Sequence, residues 1–257
     1  MSTIAEKLTE IAGNTPLVYK SGYEKGLEDG GGYEQGVEDG KQAEYDSFWD
    51  AFQQNGTRRD YSYAFSNGWT DDAFKPKYKI NSVDSMQQAF RYSGITKLSY
   101  AASDRITLAS SSGTFSGCFF QDRQLTEIEP TLDASASTSA TACAMIFYYC
   151  SALRNVTLKV NPKATQNNYF GEAFLYCTAL EELYFEGADT VSANIDLHWS
   201  SRLTAGSLRS ILTALNKSIS GKTLTLNTAS QAVIQGDTAA YAQYTDALTA
   251  GWTIAFI

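Results

Sequence analysis

The sequence predicts an α/β protein built as a solenoid, with a short parallel sheet, right-handed coils and a helical N-terminal module. The first observation is a phrase of the form Phe-x-x-Cys-x-x-Leu-x-x-apolar, whose phenylalanines recur 29, 28 and 27 residues apart. The second is that a short apolar run, suited to a strand, follows every copy. The third is a strand–helix–strand pattern in residues 186–257, which requires parallel strands and right-handed crossovers.

Residues 1–56 are predicted to form a helical, acidic N-terminal segment. Apolar residues from Ile4 to Ile11 follow a Ser-Thr cap at helical spacing, and those from Lys41 to Phe52 form a helical stripe. Between them lies a ten-residue tandem repeat that begins at Gly22 and again at Gly32. Each helical glycine costs about 1 kcal/mol relative to alanine. Two interpretations therefore stay open: a glycine-seamed oligomerisation or docking segment, which the registered aromatic residues favour, and a flexible acidic tether.

Residues 57–80 are predicted to be an aromatic N-terminal cap. Tyr61, Tyr63 and Phe65 alternate with small polar residues, as in a half-buried strand. Because the open end of a solenoid must be covered, a cap is the natural role for this segment.

Residues 81–257 are predicted to form the solenoid itself. The phrase is complete from Phe147 and from Phe174, whereas Asp122 and Ser93 replace the cysteine in two earlier copies. Short strands are expected directly after the copies, and they are placed at residues 98–100, 128–130, 156–160 and 183–185.

The phrase stops after residue 185, but its spacing survives. Apolar runs centred on Asp196, Thr225 and Thr253 are 29 and 28 residues apart. Thr204 and Asp237 are expected to cap helices between these strands, and Gly251 is expected to close the second one. We interpret residues 186–257 as a continuation of the solenoid that thickens into a C-terminal cap.

The phrases at 147–158 and 174–185 resemble the repeat of BspA-type leucine-rich repeat proteins, and the resemblance covers roughly residues 81–257. It implies a leucine-rich repeat solenoid; members of the family are generally surface adhesins or uncharacterised. The opening, from Ile4 to Ile11 and from Ala43 to Asp50, is similar to leucine-rich repeat proteins encoded beside tail genes in phages and prophages of Gram-positive gut bacteria. That similarity implies that residues 1–56 bind a phage tail or baseplate protein.

Composition narrows the classes of partner. A net charge of −8 argues against nucleic acid and against a charged membrane surface. We expect no membrane insertion, because no apolar run has the length of a membrane span. The first residues lack the apolar core of a signal peptide. We therefore expect synthesis in the cytoplasm, followed by a place on the virion tail or release from the producing cell.

Catalytic and metal-binding motifs are not found in the sequence. The four cysteines form no CxxC pair, and their spacing favours buried free thiols. His198 is the only histidine, so neither a catalytic triad nor a zinc site is indicated. Paired carboxylates, which could in principle serve glycoside hydrolysis, are more typical of a solvated face. We predict a protein that is not an enzyme and that needs no cofactor and no metal. The glutamates considered are Glu127, Glu129, Glu181 and Glu182.

A binding surface is the stronger prediction. The residue before the cysteine position is Tyr92, Gln121, Tyr149 or Tyr176 in successive copies, so these side chains should stack in a column. Tyr184 should lie in a row on the outer face of the sheet, by alternation along the strands. Tyrosine columns offer flat apolar faces and hydroxyl edges, which suit carbohydrate. The open alternative is that the column is partly core. The other members of the row are Ser99, Glu129 and Thr157.

These observations favour non-enzymatic recognition: a phage-tail-associated or prophage-encoded adhesin that binds a bacterial surface glycan or protein. The alternative is a structural protein whose solenoid binds another protein of the same particle or cell.

Overall fold

The computed structural model describes residues 43, 45–53, 59–67, 73–74, 76–99 and 104–257. Within these residues the fold is α/β, with a parallel sheet curled into a half-barrel and four helices. The chain divides into two compact units: residues 1–58 with 76–80, and residues 59–75 with 81–257. The predicted helix at 4–11 and the ten-residue repeat lie outside the described residues. The predicted boundaries after residues 56 and 80 stay predictions.

The smaller unit contains helix α1 (residues 45–53), in agreement with the predicted apolar stripe. The segment 76–80 is held to this helix by polar contacts. The Gln53 side-chain amide donates to the Tyr78 carbonyl over 2.9 Å and accepts from the Tyr78 backbone N–H over 3.0 Å. The Tyr78 hydroxyl donates to Asp50 over 2.6 Å. These contacts make the return of the chain at residues 76–80 part of the helical unit.

The larger unit contains two parallel sheets. In the first sheet the order is β1-β3-β5-β7-β6-β4-β2, with β8 also paired to β7; in the second it is β11-β10-β9. The strands are β1 (Ala73–Phe74), β2 (Ser82–Val83), β3 (Lys97–Leu98), β4 (Arg105–Leu108), β5 (Glu127–Ile128), β6 (Thr131–Asp133), β7 (Asn155–Lys159), β8 (Glu182–Phe185), β9 (Ile195–Leu197), β10 (Thr223–Leu226) and β11 (Thr253–Phe256).

The unusual strand order arises because the early repeats carry two short strands each. Strands β1, β3 and β5 form one ladder, and β2, β4 and β6 form a second. Strand β7 joins them, since Asn155 pairs with Glu127 while Leu158 pairs with Leu132. The predicted strand at 128–130 is therefore wrong in its bounds. Proline has no backbone N–H for a ladder, and Pro130 separates β5 from β6.

Between the strands, five seven-residue turn segments lie on successive levels of the fold. Backbone N–H groups at the first, third, fifth and seventh residue of one segment donate to carbonyls of the next, as Phe119 does to Ile146 over 2.9 Å. The expected strand at Tyr61, Tyr63 and Phe65 is wrong, because these residues form the first turn segment. The turn segments are residues 61–67, 86–92, 115–121, 143–149 and 170–176.

The backbone of every turn segment is left-handed at its third and seventh residue. Examples of the seventh position are Tyr92 at φ 55°, Tyr149 at φ 60° and Tyr176 at φ 63°. This conformation costs a residue with a side chain about 1–2 kcal/mol, so the inter-segment hydrogen bonds must hold it in place. The left-handed conformation directs the side chains of the first and fifth residues of each turn segment inward and those of the third and seventh residues outward.

The core of the larger unit is organised around one phenylalanine from each turn segment. Ring centroids of consecutive members lie 5.0, 5.2, 5.8 and 5.7 Å apart, and all five rings are buried. Aromatic pairs at such distances contribute about 0.5–1.5 kcal/mol beyond the burial of their surface. This phenylalanine column therefore links the levels of the fold. Its members are Phe65, Phe90, Phe119, Phe147 and Phe174.

The cysteine position of the phrase is buried in each of the four copies. The Cys150 thiol donates to the Phe119 carbonyl over 2.9 Å, and the Cys177 thiol donates to that of Phe147 over 3.1 Å. All four cysteines are buried free thiols, as the sequence predicts. Asp122 occupies the same position, and burial raises its pKa to about 7, although a hydrogen bond from Ser93 opposes the rise. One copy thus holds an acid where its successors hold a neutral thiol.

One glycine permits a close approach between two levels. A Cβ added at Gly113 would lie 2.8 Å from the Asp84 carbonyl oxygen and 3.2 Å from the Leu108 Cβ. The Gly113 carbonyl in turn accepts a hydrogen bond of 2.6 Å from the Ser137 hydroxyl. Any larger residue at this position must displace the backbone.

Three helices complete the C-terminal part: α2 (Ala205–Ala214), α3 (Thr228–Gly236) and α4 (Thr238–Thr249). The predicted caps are confirmed, since Thr204 caps α2 and Asp237 caps α4. Helix α3, capped by Asn227, is an addition to the prediction. Helix α2 covers the free edge of β8, where the hydroxyls of its serines accept from the backbone N–H groups of Leu183 and Phe185 over 3.0 Å each. Such covering protects a sheet edge from pairing with another chain.

Candidate functional site

The outward-facing sixth and seventh residues of the turn segments form a continuous aromatic surface, here called the aromatic ribbon. The left-handed backbone at the seventh position turns its side chain away from the phenylalanine column. Because every level repeats this geometry, aromatic residues on neighbouring levels come into contact. The ribbon consists of Tyr92, Phe120, Tyr148, Tyr149, Tyr176 and Trp199, with Arg91 and Arg123 stacked on it.

Ring contacts run without a break along the ribbon. Tyr92 meets Phe120 edge-to-face at 5.7 Å, and Phe120 stacks on Tyr148 at 4.7 Å with the planes 3° apart. Tyr149 lies 4.0 Å from Tyr176. At the far end, Tyr176 lies 4.2 Å from Trp199. Each ring of the ribbon is therefore packed against at least one neighbouring ring.

The ribbon is exposed at its two ends and half-buried between them. The exposed fraction is 41% for Tyr92 and 36% for Trp199. A hydrogen bond between the hydroxyls of Tyr149 and Tyr176 raises the pKa of Tyr176. The ribbon therefore offers apolar ring faces together with hydroxyl groups.

Two arginines lie over the rings. The Arg91 guanidinium is 4.8 Å from the Tyr92 ring centroid and 5.2 Å from that of Phe120. Arg123 lies 5.2 Å from the Tyr149 ring. Cation–π contacts of this kind contribute about 0.5–1 kcal/mol at exposed sites.

The predicted site residues divide into two groups. Tyr92, Tyr149 and Tyr176 lie in the ribbon, and Gln121 lies beside it as the hydrogen-bond acceptor of Arg123 over 3.4 Å. Tyr184 lies elsewhere, on β8.

Tyr184 pairs with Thr157 in the predicted row on the sheet. Its hydroxyl would lie 3.4 Å from a Cβ added at Gly206 in helix α2, and burial, with Glu182 nearby, raises its pKa. Tyr184 therefore lies beside helix α2 and is not part of the aromatic ribbon.

Several ribbon residues were missed by the sequence reasoning. The prediction considered only the residue directly before the cysteine position, although the preceding position carries Phe120 and Tyr148. Those two aromatic residues, 28 positions apart, were a signal that could have found the second column. Trp199 lies outside the phrase, and only its contact with Tyr176 reveals it.

Three of the four glutamates considered for hydrolysis are held in ion pairs, and the fourth, Glu182, lies beside Tyr184. Lys97 contacts Glu127 over 2.9 Å and Glu129 over 2.6 Å, and these contacts raise the pKa of Lys97. Arg202 lies 3.7 Å from Glu181. The two carboxylates therefore share one cation, Lys97, which compensates one of their two negative charges.

A second charged network crosses the strands of the first sheet. Arg105 contacts Asp133 and Glu186, each over 2.7 Å, and Lys159 lies 3.3 Å from Asp133. Burial alone would raise the pKa of Asp133, but hydrogen bonds from Ser135 and Arg105 outweigh it and hold that pKa below its usual value. Since the carboxylate of Asp133 is nearly enclosed, this network stabilises the sheet.

Next to the ribbon, His198 contacts the Asp196 carboxylate through Nδ1 over 2.6 Å, and its ring lies 5.1 Å from that of Trp199. Among the described residues, no group of three or more His, Cys, Asp and Glu side chains is placed to hold a metal ion. Within the same residues, no helix is both long and apolar enough to cross a membrane.

A scan against protein-family models, a search of the curated proteins and a search of the solved structures each found no match to this chain.

Proposed function

We propose that the chain is a non-enzymatic recognition protein, a BspA-type leucine-rich repeat solenoid whose aromatic ribbon binds a glycan or protein on the bacterial surface. The aromatic ribbon carries this proposal. It is a solvent-facing run of six rings in mutual contact, with hydroxyls at its edges. Flat apolar faces beside hydroxyl groups match the alternation of C–H faces and hydroxyl edges on a sugar ring.

The solenoid part of the proposal is supported by the way each level binds the next. Four backbone hydrogen bonds link every turn segment to its successor, and a phenylalanine stack runs through all five. In repeat proteins each unit likewise buries its apolar face against its neighbours. Short parallel strands that follow the turn segments fit the same architecture.

The biological setting is proposed from the resemblance of the opening residues to tail-associated phage and prophage proteins. Residues 1–56 would bind a tail or baseplate protein, and the ribbon would face outward from the virion or from the released protein. An adhesin in this position needs a rigid recognition surface. The ring-to-ring contacts between Tyr149, Tyr176 and Trp199 provide one.

The test is binding of the labelled full-length chain to intact Gram-positive gut bacteria and to their purified wall glycans. We expect saturable binding that weakens about ten-fold or more in Trp199→Ala and Tyr149→Ala, since truncating an aromatic anchor residue of a binding surface costs about 2 kcal/mol or more. Tyr241→Ala is the matched control, because Tyr241 is 51% exposed on helix α4 and belongs to no part of the ribbon.

Equal loss in all three variants, or binding unaffected by either ribbon variant, would show that the ribbon is not the recognition surface. If no strain and no wall glycan bound the full-length chain, the adhesin proposal would fail. Co-purification with another protein of the particle would then favour the structural alternative.

A further inference from the structure

We propose that the ligand of the aromatic ribbon is an anionic glycan, whose acidic groups are bound by Arg91 and Arg123. This inference rests on the proposed function and names the class of glycan. The acidic group is a carboxylate or a phosphodiester, because both accept hydrogen bonds from a guanidinium in the same planar geometry.

The two arginines share an arrangement that leaves their charge uncompensated. Arg91 donates to the side-chain oxygen of Gln88 over 2.6 Å, and Arg123 donates to that of Gln121 over 3.4 Å. Both partners are neutral amides, and both guanidinium groups lie over aromatic rings. The rings hold the positive charges in place without neutralising them.

Many cations elsewhere in the described residues are paired with carboxylates, although Arg154, Lys163 and Lys222 are not. Most have a carboxylate within 4 Å, including Arg59, Lys77, Lys97, Arg105, Lys159, Arg202, Arg209 and Lys217. In the part of the chain that the structure describes, Arg91 and Arg123 have no such partner. Arg91 and Arg123 differ from the other unpaired cations because their guanidinium groups also lie over aromatic rings, and this combination gives a surface suited to an acidic ligand.

The ribbon positions themselves are free of acids. The sixth and seventh residues of the five turn segments are Ser66, Asn67, Arg91, Tyr92, Phe120, Gln121, Tyr148, Tyr149, Leu175 and Tyr176. At the Trp199 end, the carboxylate of Asp196 is hydrogen-bonded to His198. Although the whole chain carries a net charge of −8, the one charged residue among these ten is Arg91, and Arg123, two residues after Gln121, adds a second positive charge. Local charge complementarity of this kind selects the partner more than it adds raw affinity.

A glycan fits this strip better than single-stranded nucleic acid does. Single strands bind through bases stacked on separate aromatic platforms and through a groove that is basic along the backbone. In the ribbon, the Phe120 and Tyr148 rings stack on each other at 4.7 Å, which leaves no slot for a base between them. The ribbon has two cations at separate positions, which suits a glycan with one acidic group in each sugar repeat. A nucleic acid has a phosphate at every nucleotide and would need a cation for each.

The test measures binding of the full-length chain to two matched pairs of polymers. Phosphomannan is compared with neutral mannan, and polygalacturonate is compared with its methyl ester. We expect binding to at least one acidic polymer, at least ten-fold tighter than to its neutral partner and weakened by added NaCl. The pair that shows the difference identifies the phosphodiester or the carboxylate as the bound group.

Arg91→Gln and Arg123→Gln should each weaken binding of the acidic polymer about ten-fold, as expected for loss of one charge-assisted hydrogen bond. Arg154→Gln is the matched control, because Arg154 is exposed, has no carboxylate or ring partner among the described residues and lies off the ribbon. Its binding should equal that of the wild type. Thermal unfolding of each variant checks that it is folded.

Equal affinity for the acidic and neutral members of both pairs would overturn the inference, and so would binding that is unchanged in both ribbon arginine variants. Tighter binding of oligo-dT than of any polymer would overturn it in favour of nucleic acid. Binding of none of the four polymers would also overturn it. The proposed function would be judged separately, since it depends on whether Trp199→Ala weakens binding to whole bacteria.

Discussion

Replacing Asp122 by cysteine should remove a large pH dependence from the stability of the protein. Asp122 occupies the position that Cys150 and Cys177 occupy in the following copies, and its Oδ1 atom is buried without a hydrogen-bond partner. The other oxygen accepts from the Ser93 hydroxyl over 2.5 Å. Burial raises the pKa of this carboxyl from 3.8 to about 7. Asp122→Cys would place the neutral residue of the neighbouring levels in the same environment.

The direction of the effect follows from proton uptake. Between about pH 4 and about pH 7 the folded protein holds a proton on Asp122 that the unfolded chain has released. Folding then takes up a proton, so this group's contribution to stability is greatest near pH 4 and falls as the pH rises to about 7. A pKa difference of about 3 corresponds to about 4 kcal/mol between these limits.

Urea unfolding of the wild type and of Asp122→Cys, measured from pH 4.5 to pH 8, tests this value. As the pH rises, the unfolding free energy of Asp122→Cys should increase by several kcal/mol relative to that of the wild type. This difference should become constant above about pH 7. Other titrating groups are common to both proteins, and their effects cancel in the difference. The thiols of Cys118 and Cys150, which sense the Asp122 charge, have raised pKa values and stay neutral over this range.

Ser93→Ala supplies an independent check of the same reasoning. The hydroxyl of Ser93 lowers the pKa of Asp122, so its removal should raise that pKa further. The pH at which the stability difference levels off should therefore move upward. A difference between Asp122→Cys and wild type that does not vary with pH would refute the argument that Asp122 is buried as a protonated acid.

Three further substitutions, two of them with a matched control variant, test the packing by urea unfolding at fixed pH. Phe119→Ala should lower the free energy of unfolding by about 3–5 kcal/mol, because it removes the central ring of the phenylalanine column. Phe120→Ala, at a half-buried ring, should lower it clearly less. Equal decreases in the two variants would contradict the role of the column. Gly113→Ala should lower the free energy of unfolding by about 1–3 kcal/mol, because the added Cβ would lie too close to the Asp84 carbonyl oxygen. Gly236→Ala, with open space around the added Cβ, should leave this free energy unchanged or raise it. Arg105→Ala should cost about 1–3 kcal/mol, since it leaves two carboxylates of the sheet network without their main partner; an unchanged urea midpoint would contradict this.

The repeated levels were predictable because their side chains repeat in type. The residues Phe90, Phe119, Phe147 and Phe174 mark four of the five turn segments in the sequence. The fifth, at 61–67, escaped notice because it lies only 25 residues before the next and lacks the cysteine position. Its alternating aromatic residues predict a strand. In the structure the alternation comes from turns in which every fourth residue is left-handed, and hydrophobic pattern alone does not separate this backbone from an extended one.

The candidate site was predictable only in part. The tyrosines of the seventh position were found because a column of like residues at one position implies stacking. The sixth position is a weaker signal, since Phe120 and Tyr148 are aromatic but Arg91 and Leu175 at the same position are not. Trp199 comes from a different part of the fold, and it reaches Tyr176 through tertiary packing that no repeat spacing encodes.

The hydrogen bonds between turn segments all run in one direction, and this has an electrostatic consequence. The N–H groups of each segment point toward the next, so these peptide dipoles add along the stack as they do along a helix axis. The end at 170–176 is therefore partially positive, and the end at 61–67 is partially negative. Glu172 lies at the positive end, whereas Arg91 lies one level from the negative end. The stack thus has a dipole moment parallel to the ribbon. This dipole favours one orientation of any ligand that itself has a dipole moment along its length.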